Sequence, residues 1–236
     1  MGLLDDEPVA SISAVRYGDN FGFIGFYIVK NSLRGNGLGA KLADAALHYL
    51  EGRNIGLDGV LDQQEYYQRH GFTIAHRNIR FACSGGGEKP DNFSFSSLAN
   101  IPFEKITDYD AQHFFTRRDN FLNSWIKAEG HYGLALIQQQ QIRAYGVIRP
   151  CIEGYKIGPL FAENGHLAEA LFLALKSHTP ENDSVYLDIP ELNKNGLELA
   201  EKYEMQQVFE KARMYNLFDP KLPLEKIFGI SSFELG

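Results

Sequence analysis

The chain has 236 residues, 44% of them hydrophobic and 22% charged, with a formal net charge of −7. That is the make-up of an ordinary globular protein of one large domain or two small ones, and its acidic surplus argues against a general nucleic-acid surface. No apolar run is long enough for a bilayer, no basic apolar leader follows Met1, and Cys83 and Cys151 have neither metal spacing nor a disulfide framework. The expectation is a cytoplasmic, reduced, metal-free protein.

Residues 3–18 read as a hairpin with an acidic turn at Asp5, Asp6, Glu7 and Pro8, followed by alternating residues up to Tyr17. Gly18, Asp19 and Asn20 turn the chain into residues 21–29, an aromatic and β-branched run typical of a buried strand. Residues 30–39 form a polar, glycine-dense turn. From there Leu38, Leu42, Ala46 and Tyr49 or Leu50 fall on one face of a helix over 37–51, closed by Gly52. A short strand at 55–60, a polar helix at 62–70 closed by Gly71, and two apolar pieces within 72–82 follow.

Strand, glycine turn and helix in that order have a physical use. A helix N-terminus carries unpaired N–H groups and the positive end of the helix dipole, so it attracts phosphate. Gly35, Gly37 and Gly39 let the backbone curl and a pyrophosphate approach the amides, and Arg34 adds a fixed positive charge. A magnesium-binding P-loop is excluded, because Lys41 follows Ala40 and Leu42 cannot ligate the metal. A dinucleotide fingerprint fits Gly35, Gly37 and Ala40 less well, since five residues separate Val29 from Gly35.

Arg34-x-x-Gly37-x-Gly39, placed after Val29, resembles the acyl-CoA pyrophosphate loop of the GNAT superfamily of N-acetyltransferases. The resemblance implies acetyl-CoA as cofactor, its pantetheine arm paired with the backbone of Ile28 and Val29. Its pyrophosphate would lie on the amides of Arg34, Gly35, Asn36, Gly37, Leu38, Gly39 and Ala40. It also implies a tyrosine as the acid that protonates the departing thiolate, and Tyr67, four residues before Gly71-Phe72, fits that place. A carboxylate base is absent from residues 22–29, and Asp58 is the candidate in the next strand, ahead of Asp62 and Glu65.

The segment 84–92, with Gly85, Gly86 and Gly87 stopped by Pro90, reads as a flexible linker. Beyond it the plan repeats: an extended piece within 93–106, one or two helices in 108–128, a hairpin of 132–138 and 141–149, and a strand at 155–161. A helix at 166–178, a strand at 184–189, a helix at 192–204 and a strand at 208–217 complete it, and residues 219–236 have no assignment. The expected fold is thus an α/β mixed, mostly antiparallel sheet with helices on both faces, built from two GNAT-like units. Residues 1–83 would be the cofactor-binding domain, lacking its first strand and two helices, either because the start is truncated or because something else completes that edge. Residues 93–236 would be a copy without a phosphate loop, since Glu163 stands where the positive turn belongs. Arg149, Cys151, Tyr155 and Lys156 read as turn and edge residues or as part of an acceptor pocket.

The resemblance implies an acetyl-CoA-dependent N-acetyltransferase acting on a small-molecule or peptide amine, without nucleic acid or membrane, and with a homodimer as an option. Two other readings compete: a dinucleotide oxidoreductase, which requires an all-parallel sheet, and a CoA-binding scaffold without turnover.

Overall fold

The computed structural model describes residues 1–236 and divides them into two compact units. The first comprises residues 1–75, 212–219 and 233–236; the second comprises 76–211 and 220–232. Neither follows the 1–83, 84–92 and 93–236 division expected from the sequence.

Unit 1 opens with a hairpin of β1 (Gly2–Leu4) and β2 (Glu7–Tyr17), turned by Asp5 and Asp6 with φ of 51° and 65°, the left-handed pair that tight hairpins favour. β2 runs antiparallel to β3 (Phe21–Val29), and β3 runs parallel to β4 (Asn54–Val60). The antiparallel pair rules out the all-parallel sheet of a dinucleotide fold. Between β3 and β4 comes α1 (Leu38–Tyr49), and after β4 comes α2 (Gln64–Arg69). Leu50 and Ala46 are buried with Ile24, Ile55, Leu57 and Phe72, the core that the helical and strand periodicities point to. Ala212 and Met214 join this core. They belong to β11 (Gln206–Tyr215), the neighbour of β4.

The strand that ends the first half of the sequence, β5 (Thr73–Ser84), goes the other way. It is one continuous strand rather than two pieces, and from Asn78 to Ser84 it pairs antiparallel with β10 (Ser184–Pro190) in unit 2. Each unit is therefore completed by a strand from the other half of the sequence, which is why no single cut in the chain separates them.

Unit 2 continues with β6 (Phe95–Ser97), α3 (Phe103–Asp110), α4 (Asp119–Lys127), β7 (Tyr132–Gln138), β8 (Gln141–Pro150), β9 (Tyr155–Ala162), α5 (Gly165–Lys176) and α6 (Lys194–Lys202). This is the strand and helix order expected for the second copy, except that the first helix starts earlier than expected, at Phe103. The sheet runs β5-β10-β9-β8-β7-β6, and β12 (Ile227–Gly229), in the tail without an assignment, pairs with β9. The core under it is formed by α5, whose residues Leu167, Leu171, Phe172 and Leu175 are buried against Ile148, Ile157 and Leu187. Asp188 of β10 is wholly buried and accepts from Arg80 Nε and Nη2 at 2.7 and 2.9 Å and from Lys156 Nζ. Burial alone would raise its carboxyl, but Lys156 and Arg80 hold it below its ordinary value.

The glycine segment after β5 is not a free linker. Gly85 and Gly86 are buried; the Gly85 amide donates to Asp183 O at 2.7 Å, the Gly86 amide to Thr179 Oγ1 at 3.2 Å, and Lys176 Nζ donates to both glycine carbonyls. A Cβ on Gly85 would lie 2.3 Å from Pro180 O and from Thr179 Oγ1, so the residue is glycine because two backbones touch there. Gly85→Ala is expected to lower stability by about 1–3 kcal/mol through overpacking, read as the shift in a urea unfolding midpoint. A true linker would tolerate the change.

Candidate functional site

The site grows out of one irregularity in β3. Its register with β2 slips between Ser11, opposite Ile28, and Ser13, opposite Gly25, so that Phe26 and Tyr27 bulge out against Ile12. Phe26 takes a φ of 49°, a left-handed conformation that a bulge allows. On its other side β3 pairs with β4 only from Phe21 to Ile24, opposite Asn54 to Leu57. Past that point the two parallel strands part. The strand is buried as far as Gly25, but Phe26 is 50% exposed and Ile28 56%. The apolar run is thus a core strand in its first half and a bare one in its second.

From Val29 the chain passes through a 3-10 turn at Asn31–Leu33, and Arg34 Nε donates to Val29 O at 3.2 Å. Gly35 and Gly37 have φ of 82° and 75°, and a Cβ on either would meet nothing within 4 Å. Gly37 is the N-cap of α1; it offers no side-chain cap, and no acid stands in the first turn. The first amides of the helix therefore lack the side-chain acceptor that most helices supply, behind an exposed stretch from Arg34 to Gly37. Gly39 has a different job. A Cβ there would lie 2.5 Å from Tyr27 Oη and 3.2 Å from Val29 Cγ2, so this glycine lets α1 settle onto β3. Two of the three glycines shape an open cradle and the third packs.

Tyr67 lies on α2 with its ring over Gly59, where a Cβ would come within 2.6 Å of it, and edge-on to Phe72 at 6.5 Å. Burial, with Tyr66 and Glu234 nearby, raises its phenol above the ordinary value. Its hydroxyl therefore stays protonated at neutral pH.

Asp58 is differently engaged. Its two oxygens accept from Arg213 Nε and Nη2 at 2.9 and 2.8 Å, with the Asp58 side chain fully buried. Burial alone would lower the guanidinium, but Asp58 raises it above its ordinary value. The Arg213 guanidinium also lies 5.0 Å over the Phe23 ring. This geometry makes Asp58 a strand-joining residue. Asp62 and Glu65 are exposed, at the start of α2.

Two residues that sequence reading missed complete the surroundings. Arg213 comes from β11, and Glu234 from the tail; Glu234 Oε2 accepts from the bulge amide, Phe26 N, at 2.5 Å. A local trace of this end of the tail is Gly25, where a Cβ would lie 2.3 Å from Glu234 O.

Residues 1–72 match the model of the acetyltransferase (GNAT) family, and residues 106–229 match that of an acetyltransferase (GNAT) domain. The chain is 30% identical over 238 aligned residues to the holothin acyltransferase of Pseudoalteromonas sp. (strain SANK 73390), an alignment covering 100% of this chain and 80% of that protein. The chain belongs to the GNAT acetyltransferase family. Its activity class is accordingly acyl-CoA-dependent acyl transfer. The fold is similar to that of a putative acetyltransferase from Pyrococcus horikoshii, with a TM-score of 0.82, 24% identity, and 99% and 78% of the two chains covered. It is also similar to a tandem GNAT protein from the clavulanic acid biosynthesis pathway, with a TM-score of 0.64, 13% identity, and 90% and 80% covered.

The second GNAT unit has the same parting of strands, but it is filled. β9 and β10 run parallel from Tyr155 to Ile157, opposite Val185 to Leu187. Beyond that, β12 pairs with β9, Ile227 opposite Phe161 and Gly229 opposite Leu160. Asn193 Nδ2 donates to Ile227 O at 2.9 Å, and Ile230 N donates to Asp188 O at 3.0 Å, closing the other side. The N-terminus of α5 is capped by Asn164 Oδ1, which accepts from Leu167 N at 3.0 Å, and Glu163 beside it pairs with Arg143. Lys156 is buried on Asp188, and the Arg149 guanidinium lies 5.1 Å over the Trp125 ring, which gives both a framework role.

In the first unit, Asp58→Asn is expected to cost about 3–5 kcal/mol of stability, because Arg213 would be left buried without its charge partner. Guanidinium denaturation measures it. A midpoint equal to that of the wild type would return Asp58 to the list of candidate bases.

Proposed function

We propose that this GNAT chain is an acetyl-CoA-dependent N-acetyltransferase whose first unit binds the cofactor and whose acceptor is a small-molecule primary amine. The observation that carries the reading is the cradle of unit 1: an uncapped helix N-terminus behind Gly35 and Gly37, fed by the bare half of β3. The residues present fit acetyl-CoA. The amides from Arg34 to Ala40 and the Arg34 guanidinium would take the pyrophosphate, and the backbone of Ile28 and Val29 would hold the pantetheine amides. The exposed Phe26 and Ile28 side chains would lie against its apolar parts. When bound, acetyl-CoA supplies an acyl carbon activated as a thioester.

Tyr67 gives a proton to the sulfur as the carbon–sulfur bond breaks. A buried, neutral phenol suits that task, because it holds its proton at any working pH. The second unit contributes structure, not a second active centre: its cleft is occupied by β12 and its helix end is capped. The acyltransferase reading draws support from the relative named holothin acyltransferase.

Calorimetric titration of the full chain with acetyl-CoA is expected to show one site per chain. Gly37→Glu, which puts a carboxylate into the cradle, should weaken binding by about tenfold or more. If the wild type takes up no acetyl-CoA, the cradle reading fails.

With acetyl-CoA bound normally, Tyr67→Phe should slow thiol release to an amine by about tenfold or more. In the wild type, the alkaline limb set by Tyr67 should lie above the ordinary tyrosine range, activity falling on that side as the pH climbs through the raised value. An unaffected Tyr67→Phe variant would favour a CoA-binding scaffold.

A further inference from the structure

Acyl transfer to an amine that arrives as an ammonium ion needs a proton acceptor, and unit 1 offers none in the usual places. β3 carries no carboxylate, and both oxygens of Asp58 are taken by Arg213. One carboxylate does stand where the strands part. Glu234 Oε2 accepts from Phe26 N, the amide that the bulge turns out of the β2–β3 ladder, at 2.5 Å.

The tail is fitted to that place. Glu234 backbone atoms lie so close to Gly25 that a Cβ there would sit 2.3 Å from Glu234 O and 2.6 Å from its Cα. Tyr17 Oη donates to Leu235 O at 2.9 Å, and Phe233 is buried. The carboxylate is neither fully buried nor splayed into solvent, and Tyr67 feels its charge. The proposed acid and a carboxylate thus face the same parting of β3 and β4.

We propose that Glu234 is the general base of the acyl transfer, the group that takes the proton of the acceptor's ammonium. The assignment rests on the acetyltransferase reading above. Glu234 accepts one proton from the ammonium and releases it to solvent. The nitrogen lone pair then bonds to the acyl carbon, and the carbon–sulfur bond breaks with its electron pair on sulfur. Tyr67 supplies the sulfur's proton and recovers one from the second proton that leaves nitrogen. The Phe26 amide, by donating to Oε2, positions Glu234 at the bulge.

Near Glu234 stand Tyr67 from α2 and Tyr17 from β2, whose hydroxyl reaches Leu235; farther along the same sheet face lie Asp58, Arg213 and Tyr215. That face is marked by Phe23, which lies under Arg213 and shares its side of β3 with Gly25. Burial raises the phenols of Tyr67 and Tyr215, so neither changes charge between about pH 6 and 9.

The test compares the wild type, E234Q and a full chain lacking residues 234–236. Acetyl-CoA binding is read by calorimetry, and thiol release is read with a panel of primary amines. E234Q is expected to bind acetyl-CoA within about twofold of the wild type, yet to release thiol about a hundredfold more slowly near pH 7. The gap should narrow as the pH rises, because the amine then loses its proton to water unaided, and the shortened chain should behave likewise. A wild-type rate in E234Q overturns the assignment. So does tighter acetyl-CoA binding with faster turnover in either variant, which would make the tail a plug. A wild type that fails to bind acetyl-CoA, or binds it and releases no thiol to any amine, overturns the acetyltransferase reading and this one with it.

Discussion

The ion pair between Asp58 and Arg213 holds unit 1 together across 155 positions of sequence. Two charges enter an apolar interior only as a well-formed pair, and here the guanidinium fork matches both carboxylate oxygens. The consequence is selective. Any strand placed beside β4 without an arginine at this point would leave Asp58 buried and unpaired, which costs several kcal/mol. β11 carries that arginine, Arg213, and β5 carries one of its own, Arg80, which grips Asp188 of β10 in the same two-pronged way. Each exchanged strand is thus fastened by a buried arginine–carboxylate pair, Arg213 with Asp58 in unit 1 and Arg80, joined by Lys156, with Asp188 in unit 2.

The exchange leaves two openings of the same kind with different fates. Both arise because a parallel strand pair is joined for only three or four residues and then diverges. Such an opening exposes unpaired backbone on both strands, which something must satisfy. In unit 2 the chain's own β12 does so, and the helix behind it is capped by Asn164. In unit 1 the bare half of β3 leads to a helix end with neither side-chain cap nor acid, which is where the proposed cofactor would bring amides and negative charge. The proposed division of labour between the two copies rests on this contrast.

How much of this the sequence discloses depends on the distance over which each feature is decided. The strand, turn and helix from Phe21 to Tyr49 were legible, because apolar spacing and glycine conformations act within a few residues. The element order of both halves was legible for the same reason. What escaped was decided by partners far along the chain. Arg213 and Glu234 are ordinary letters until β11 and the tail are placed, and the Glu234 contact spans 208 positions. Glycines were ambiguous for a related cause: Gly85 and Gly39 look flexible in sequence and are in fact points of tight approach. Asp58 looked available only because its partner was out of sight.

The tail joins these points into one argument. Residues 220–232 belong to unit 2, where they fill the cleft of the second copy, and residues 233–236 belong to unit 1, where they bring a carboxylate to the bulge of β3. Unit 1 thus draws from the second half both the arginine that completes its sheet and the acid that faces its opening. Residues 1–75 make a compact unit only together with 212–219 and 233–236 from the second half. The two halves are interlocked through their exchanged strands, and the tail residues that shut the cleft of unit 2 are continuous with those that reach the bulge of unit 1.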